Sequence, residues 1–600
     1  MPDVSSHGFS VLFALLAFLA VSVWLGTLAQ RAMDRSNFFE GFFLGNRGLG
    51  AWTLALTATV QSGGTFMGYP ALVYDYGWVG LLWISSYMVV PLTGFAVIGK
   101  RLAQLSRKTG AVTVPEIFSE RFGDARVGLC ASLMIMFFLS FTMCAQFKAG
   151  ATVMKQAWPG SGPFTFAEPA FDEPETASQS ETNTNEKMPA EIAASGPAAA
   201  QQPVAAAPAG SSAMDTKYYI GLAVFAATVV GYTMIGGFLA SVWTDLFQSV
   251  LMVVGVIVLF CLALPAAGGL EHATRTAIEH TGPAYALGPG FHPTRDFLTP
   301  ALAFSMFVLW VYSGFASPAS MIRVMAAQNT EVMRKSIVLL SCYNCLIYVP
   351  LAMIAICGRA LYPHEKPDEI IPTLAMRLTT EIPGGTLLTA LILSAPFGAI
   401  MASVSCFVLV IASGLVKDLY LRYVHPQANA HEIRRATNVA MLLVGVVGVL
   451  AVIYPPKYLQ VLIVFSGSAG AAAFVTPVLM TCYWRRATSW GMLAAMLGGF
   501  LTYVTLFALG WLQGWAAGMQ PPNNFAEWVL SVLGQDPRIG PATAFRAYYF
   551  LGFDPIVWGL LVSAVCGIAV SRLTPPPQES LLQRLFDAPP PTGEPVAEAA

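Results

Sequence analysis

Long unbroken apolar runs dominate this chain. Stretches such as VLFALLAFLAVSVWLG and SVLMVVGVIVLFCLALPAA have the length a helix needs to cross a hydrocarbon core. They lack the short segments of alternating polarity that a membrane barrel requires. Thirteen apolar segments separate, at about 9–29, 48–76, 78–100, 126–155, 217–235, 240–267, 300–326, 331–361, 386–416, 436–455, 458–482, 487–512 and 550–573. In hydrocarbon every backbone polar group must be satisfied within the protein, and helices achieve this one span at a time. The pattern predicts an all-α polytopic membrane protein.

Composition agrees. Of the 600 residues 56% are apolar and only 11% are charged, where a soluble protein carries roughly a quarter. The net charge of -1 gives no electrostatic footprint for nucleic acid. The nine cysteines fall in apolar runs; Cys342 and Cys345 have CxxC spacing, but no second pair follows to complete a zinc site. The seven histidines lie in loops or termini, and no nucleotide-binding loop or nucleophile motif is present, so no enzyme is expected. The first run lacks a basic leader and a small-residue cleavage site, and reads as a retained helix.

Basic residues set the expected orientation. Arg31, Arg35 and Arg47 follow the first span, Arg101, Arg107, Lys108 and Arg121 the third, and Arg323, Arg334 and Lys335 the seventh. Lys417, Arg422, Arg434 and Arg435 follow the ninth, and Arg485 and Arg486 the eleventh. All these loops fall on one side, which makes that side cytoplasmic, the N-terminus external and the C-terminus internal. The Ala-, Pro-, Ser- and acid-rich stretch 156–216 cannot build a core and is expected as an external disordered insert.

Two spans are interrupted. In TATVQSGGTFMGYPALVYDYG the residues Gln61, Ser62, Gly63, Gly64 and Thr65 break an apolar helix, and in VYSGFASPASMIR the break is Ser313, Gly314, Ser317 and Pro318. Glycine weakens a helix and proline removes a donor. The second span starts inside and the seventh outside, and five spans begin with each, a five-plus-five inverted repeat. The expected organisation is an extra helix and cytoplasmic loop (1–47), a first repeat (48–267), a second repeat (300–482), two further helices (487–573) and a disordered cytoplasmic tail (574–600). Two breaks at matching positions point to transport of a small solute.

Four stretches carry a family resemblance: FFLGNRGLGAWTLALTATVQSGGTFMGYPALVYDYG, GGFLASVWTDLFQSVLMVVG, PASMIRVMA and LSAPFGAIMASVSCFVLVIASGLVKDLY. Through them the chain resembles the sodium/solute symporter family, with its LeuT-type fold, over roughly residues 10–510 apart from the insert. Within the family, TAT…FMGYPALVYDYG, IIPTLAMRL and LSAPFGAIM are most similar to sodium/pantothenate symporters. The resemblance implies a sodium ion as coupling ion, with no other cofactor, held between spans 2 and 9. Carried over by position, carbonyls of Ala58, Gln61 and Ala399 would face the ion and Ser403 would add a hydroxyl; oxygen ligands suit a hard cation. Position 402, where the family has a second hydroxyl, is Ala402, and Ser405 points to another helix face. Asp245, in the Trp243-Thr244-Asp245 motif, resembles the family acid on the ion's inward exit path.

The solute should lie against the breaks, at Ser62, Gly63, Gly64, Thr65 and Ser317, with Trp310 and Tyr312 as an aromatic wall. The resemblance also weighs against a polyhydroxylated ligand, because the positions sugar-binding members use are Val60, Gly63, Gly64 and Thr65. Lys148 interrupts span 4 seven residues from Lys155, about 10 Å along a helix. It either snorkels to the outer interface or pairs with a solute carboxylate. The expected function is sodium-coupled symport of a small carboxylate-bearing solute such as pantothenate. Proton coupling, motivated by Ala402, and a transporter-like membrane sensor are the alternatives.

Overall fold

The computed structural model describes residues 4–33, 44, 47–58, 62–157, 216–290, 297–380, 382–453, 459–516 and 546–587. Their regular structure is helical. The chain begins with α1 (Val4–Met33) and the broken second span, α2 (Ala51–Ala58) and α3 (Tyr69–Tyr76), separated by a π-helical turn at Gly64–Gly68. The first repeat continues through α4 (Trp78–Thr109), α5 (Ala125–Ala157) and α6 (Thr216–Ala266). The broken seventh span is α7 (Pro300–Ala316) followed by α8 (Pro318–Met325). Next come α9 (Thr330–Leu361), the short α10 (Ile370–Thr379), α11 (Gly385–Ser413), α12 (Ala430–Ala451) and α13 (Leu459–Tyr483). The chain closes on α14 (Ser489–Ala516) and α15 (Pro555–Leu573). Among the described residues, nine helices are long and apolar enough to cross a membrane.

The 51-residue α6 is two spans joined at Gly237, whose φ of 56° and ψ of −142° only glycine adopts readily. This is where the apolar pattern divides 217–235 from 240–267. Neighbouring Gly236 admits α1: a Cβ there would lie 2.6 Å from the Gly26 carbonyl oxygen. Helix starts are set by side-chain caps. Asn329 Oδ1 accepts the Val332 N–H at the head of α9, and Asn429 with Glu432 forms a capping box on α12.

Helix α11 is the hub. Its most apolar window is 94% buried within the protein, against 33% for α6, so α11 is surrounded by protein while α6 keeps a lipid-facing side. The two broken spans are stitched at one end by backbone: Leu49 N–H donates to Ala326 O and Gln328 N–H to Leu49 O. Arg107 reinforces this junction by donating to the carbonyls of Ala327 and Gln328 at 2.5 and 2.8 Å.

The expected insert falls almost entirely on residues 158–215, outside the described residues. The expected tail is corrected in part. Residues 579–587 are helical and pack under the side chains of Arg101, Arg121 and Arg485, while 588–600 lie outside the described residues.

Candidate functional site

At the first break the chain restarts as a helix on Ser62. Its carbonyl accepts the N–H groups of Thr65 and Phe66, and its hydroxyl accepts the Gly64 N–H at 3.2 Å. The Gly63 N–H goes instead to Gln146 Oε1 on α5, at 2.7 Å. Those partners satisfy donors that every helix start leaves orphaned. Gly63 is needed for this approach, since a Cβ there would sit 2.7 Å from the Ala149 Cβ. The second break is built alike. Ser317 is the N-cap of α8 with its hydroxyl toward the Ser320 N–H, and Pro318 occupies the first helical position, where a missing N–H costs nothing.

The two restarts meet. Ser62, Gly64 and Thr65 from the first break and Ser317 from the second line one cavity of about 160 Å³. Trp310 forms part of its wall, edge-on to Tyr87 with ring centroids 5.6 Å apart. Tyr87 in turn packs on Tyr348, whose hydroxyl lies 3.1 Å from Thr65 Oγ1. The aromatic wall is therefore Trp310 with Tyr87 and Tyr348. Tyr312 is half-buried against the core and is not on the wall. Gly63 also lies off it, turned toward α5. Gln460, from the first turn of α13, completes the lining.

Lys148 does not reach the cavity. Its Nζ pairs with Asp368 Oδ2 at 3.3 Å, with both side chains largely buried. Asp368 sits in the turn Pro367–Glu369 before α10, and this turn lies on the π-helical turn of the first break. Burial raises the Asp368 pKa, while Lys148 and the Leu459 backbone N–H at the start of α13 pull it back. The ion pair explains how a lysine is tolerated inside α5.

Of the residues expected around the ion, Ala58 is the last described residue of α2, and Ala399 and Ser403 are buried on successive turns of α11. Ser403 Oγ donates to the Ala399 carbonyl at 3.1 Å, so these two oxygens are adjacent. Gln61 lies outside the described residues. Ser405 serves a different contact: its hydroxyl lies 3.0 Å from Ser241 Oγ on α6.

Asp245 is buried and paired. Arg323 Nη2 lies 2.5 Å from its Oδ2, with the side chains 1% and 3% exposed, and Ser241 Oγ donates to the same oxygen. Arg323 Nη1 also reaches Cys406 Sγ at 2.8 Å. The arginine counted above as a cytoplasmic-loop charge is thus a core residue joining α8 to α6 and α11. A signal was available: an acid inside a membrane demands a cation, and Arg323 is the basic residue nearest a helix break. Gln460 and Tyr348 carried no such signal, because a single polar group in an apolar run resembles packing. Cys342 and Cys345 are both exposed on α9, and no group of metal-ligating side chains occurs among the described residues.

Inverted broken helices around a shared central cavity define the LeuT-type fold of secondary transporters. A Na+-coupled sialic acid symporter shares that fold, with a TM-score of 0.64 at 16% identity, the match covering 96% of this chain and all of that one. The family model described as "Sodium:solute symporter family" matches residues 42–159 and 194–499, and the chain belongs to this family. It is a multi-pass membrane protein, a sodium-coupled solute symporter and not an enzyme. The chain is 26% identical over 505 residues to the sodium/pantothenate symporter of Escherichia coli (strain K12), covering 83% of this chain and 91% of that one. For the sodium/pantothenate symporter of Haemophilus influenzae the identity is 25% over 508 residues, with the same coverage. The sodium/proline symporter of Escherichia coli is 23% identical over 521 residues, covering 84% and 88%.

Proposed function

We propose that the protein carries a small carboxylate-bearing solute such as pantothenate, together with sodium, through the cavity between the two helix breaks. The observation that carries this reading is the convergence of Ser62, Gly64, Thr65 and Ser317 on one cavity. At each break one half-helix ends and another begins. The end at Ala316, and in this reading the C-terminal side of α2, offer carbonyls and partial negative charge to a cation. The starts, at Ser62 and Ser317, offer partial positive charge and hydroxyls to a carboxylate. No Lys, Arg or His stands among the described residues of the wall, so these dipoles and hydroxyls are what meets the acid. The cavity is smaller than the roughly 300 Å³ of a usual ligand pocket, so a solute of this size binds with the helices partly opened.

Sodium is held in this reading by carbonyls of Ala58, Gln61 and Ala399 and by the Ser403 hydroxyl, with Asp245 on its inward route. The aromatic wall of Trp310, Tyr87 and Tyr348 shields the apolar part of the solute. The N-terminus lies outside and the C-terminus in the cytoplasm, following the basic loops. Uptake of labelled pantothenate into proteoliposomes, with and without an inward sodium gradient, tests the function. Accumulation that depends on the sodium gradient supports it; a proton gradient that drives uptake at any sodium concentration overturns the coupling. Protease added to intact cells should cut between Thr176 and Ala207, and cleavage confined to inverted vesicles reverses the orientation.

A further inference from the structure

The far end of α13 is gripped by two arginines. Arg101, on α4, donates to the Cys482 carbonyl at 3.1 Å. Arg121, fully buried in the short helix Val114–Phe122, donates to the Trp484 carbonyl at 3.2 Å. Such side chains satisfy carbonyls that a helix end leaves open. Both guanidinium groups also stack on one ring, that of Phe586. Asp587 and Glu579 reach Arg485, just past the end of α13, at 2.7 and 3.8 Å. Residues 579–587 thus cover the contacts that hold α13 to α4.

The same helix is a wall of the central cavity, which Gln460, Ile463, Ser466, Gly467, Gly470 and Phe474 line. The last turn of α4 braces the junction of the two broken spans through Arg107, while its Lys108 donates to the Leu585 carbonyl. One segment therefore joins a cavity wall to the element that holds both breaks. Opening the cavity at this end has to part contacts that the segment covers, and the cavity is small, about 160 Å³, with the segment in place.

The attachment suits release and re-docking. Within 579–587 the buried residues are Leu582 and Leu585; Phe586 is half-buried, and Glu579 and Asp587 are exposed. Exposed ion pairs hold weakly. Thr574 is fixed by the Thr488 hydroxyl at 2.7 Å, and Pro575, Pro576 and Pro577 follow it. A proline run is a stiff spacer, so an undocked segment stays close to its seat.

We propose that residues 579–587 are an autoinhibitory strap. Docked, the strap pins the end of α13 to α4 and keeps the cavity closed on that side; undocked, it lets the cavity open. This rests on the reading of the cavity as the solute route.

The test is the labelling rate of a cysteine at Gly470 by a charged, water-soluble thiol reagent. The full chain is used in lipid nanodiscs, with all nine native cysteines replaced by serine. Gly470 lines the cavity, has room for a Cβ and lies fourteen residues before Trp484, about 21 Å along the helix, so the strap does not cover it directly. Phe586→Ala should speed labelling of Gly470→Cys by roughly two- to fivefold, the worth of one exposed cation–π contact in a two-state equilibrium. Removing residues 579–600 should speed it further, and Phe586→Tyr should keep the slow rate. The control reporter is Gly231→Cys on α6, which also has room for a Cβ and is not on the cavity wall. Its rate should not change. Equal labelling of Gly470→Cys with and without the strap overturns the proposal. So does a matching rise at Gly231→Cys, which would mean general loosening. The assay contains no solute, so a protein that fails to accumulate pantothenate overturns the proposed function without altering this result.

Discussion

Arg323 Nη2 lies 2.5 Å from Asp245 Oδ2 in the protein interior, joining the second half of a broken span to the middle of α6. The arginine stands five residues after Pro318, within the last turn of α8, so the pair ties the restarted half of the broken span to α6.

Breaking this pair from one side should be costly. Asp245→Asn leaves the Arg323 charge uncompensated and should destabilise the protein by about 3–5 kcal/mol. Arg323→Met in the same chain removes the stranded charge and should recover much of that loss. Thermal unfolding of the purified single and double variants measures both; additive losses would mean the pair is not coupled. Transport by Asp245→Asn should slow in turnover more than it weakens solute binding.

The proposed sodium shell has Ala402 where the family resemblance implies a second hydroxyl. Losing one ligand should cost on the order of 1–3 kcal/mol, roughly ten- to a hundred-fold in binding. Ala402→Ser should therefore lower the sodium concentration for half-maximal uptake, and Ser403→Ala should raise it. Both act on one shell, so their effects should not add. Uptake that ignores sodium and both substitutions would sink the proposed ion site.

Lys148 should not discriminate among solutes. Lys148→Met and Asp368→Asn each remove the same ion pair, and each should reduce uptake of acidic and neutral solutes alike. Selective loss of acidic solutes in Lys148→Met would instead make the lysine a direct partner of the carboxylate. The raised Asp368 pKa carries a pH sign. A folded-state pKa above the unfolded value gives a stabilising contribution that is full below the unfolded pKa and lost as pH rises through the folded one. Acid should thus neutralise Asp368 and loosen the Lys148 contact at a higher pH than an ordinary aspartate would, without unfolding the protein. Limited proteolysis near His364 across that pH range reads the loosening.

The tail should hold through one aromatic ring. Phe586 lies under the guanidinium groups of Arg101, Arg121 and Arg485, with carbon-to-centroid distances of 4.6, 4.9 and 5.5 Å. Asp587 makes two 2.7 Å contacts to Arg485, and Lys108 donates to the Leu585 carbonyl. Phe586→Ala should speed hydrogen exchange across residues 579–587 while leaving α15 protected. Hydrogen bonding from Arg485 lowers the Asp587 pKa. Its contribution is therefore present above the unfolded pKa and lost as pH falls through the depressed one, so docking should persist into mildly acidic buffer. Equal exchange in wild type and variant would show that the ring does not hold the segment.

What the sequence determined by itself was everything governed by the solvent and by local backbone chemistry. Lipid demands long apolar helices, so the spans were legible as runs. Glycine and proline release the backbone, so the breaks at Ser62–Thr65 and Ser317–Pro318 were legible as interruptions; the division between 235 and 240 was legible too, and the structure places its kink at Gly237. The tertiary structure decided the pairings. Lys148 and Asp368 are 220 positions apart, and Asp245 and Arg323 78, so no periodicity links them. An isolated lysine therefore read as either snorkelling or ligand-binding, and a buried arginine as a loop charge. Gln460 was hidden for the same reason: a polar side chain in an apolar run gains its meaning only when another helix, here the one bearing Gly64 and Gly68, packs against it. Phe586 and Asp587 looked like a polar tail until three distant arginines closed over them, because packing between separate segments is written in three dimensions and not along the chain.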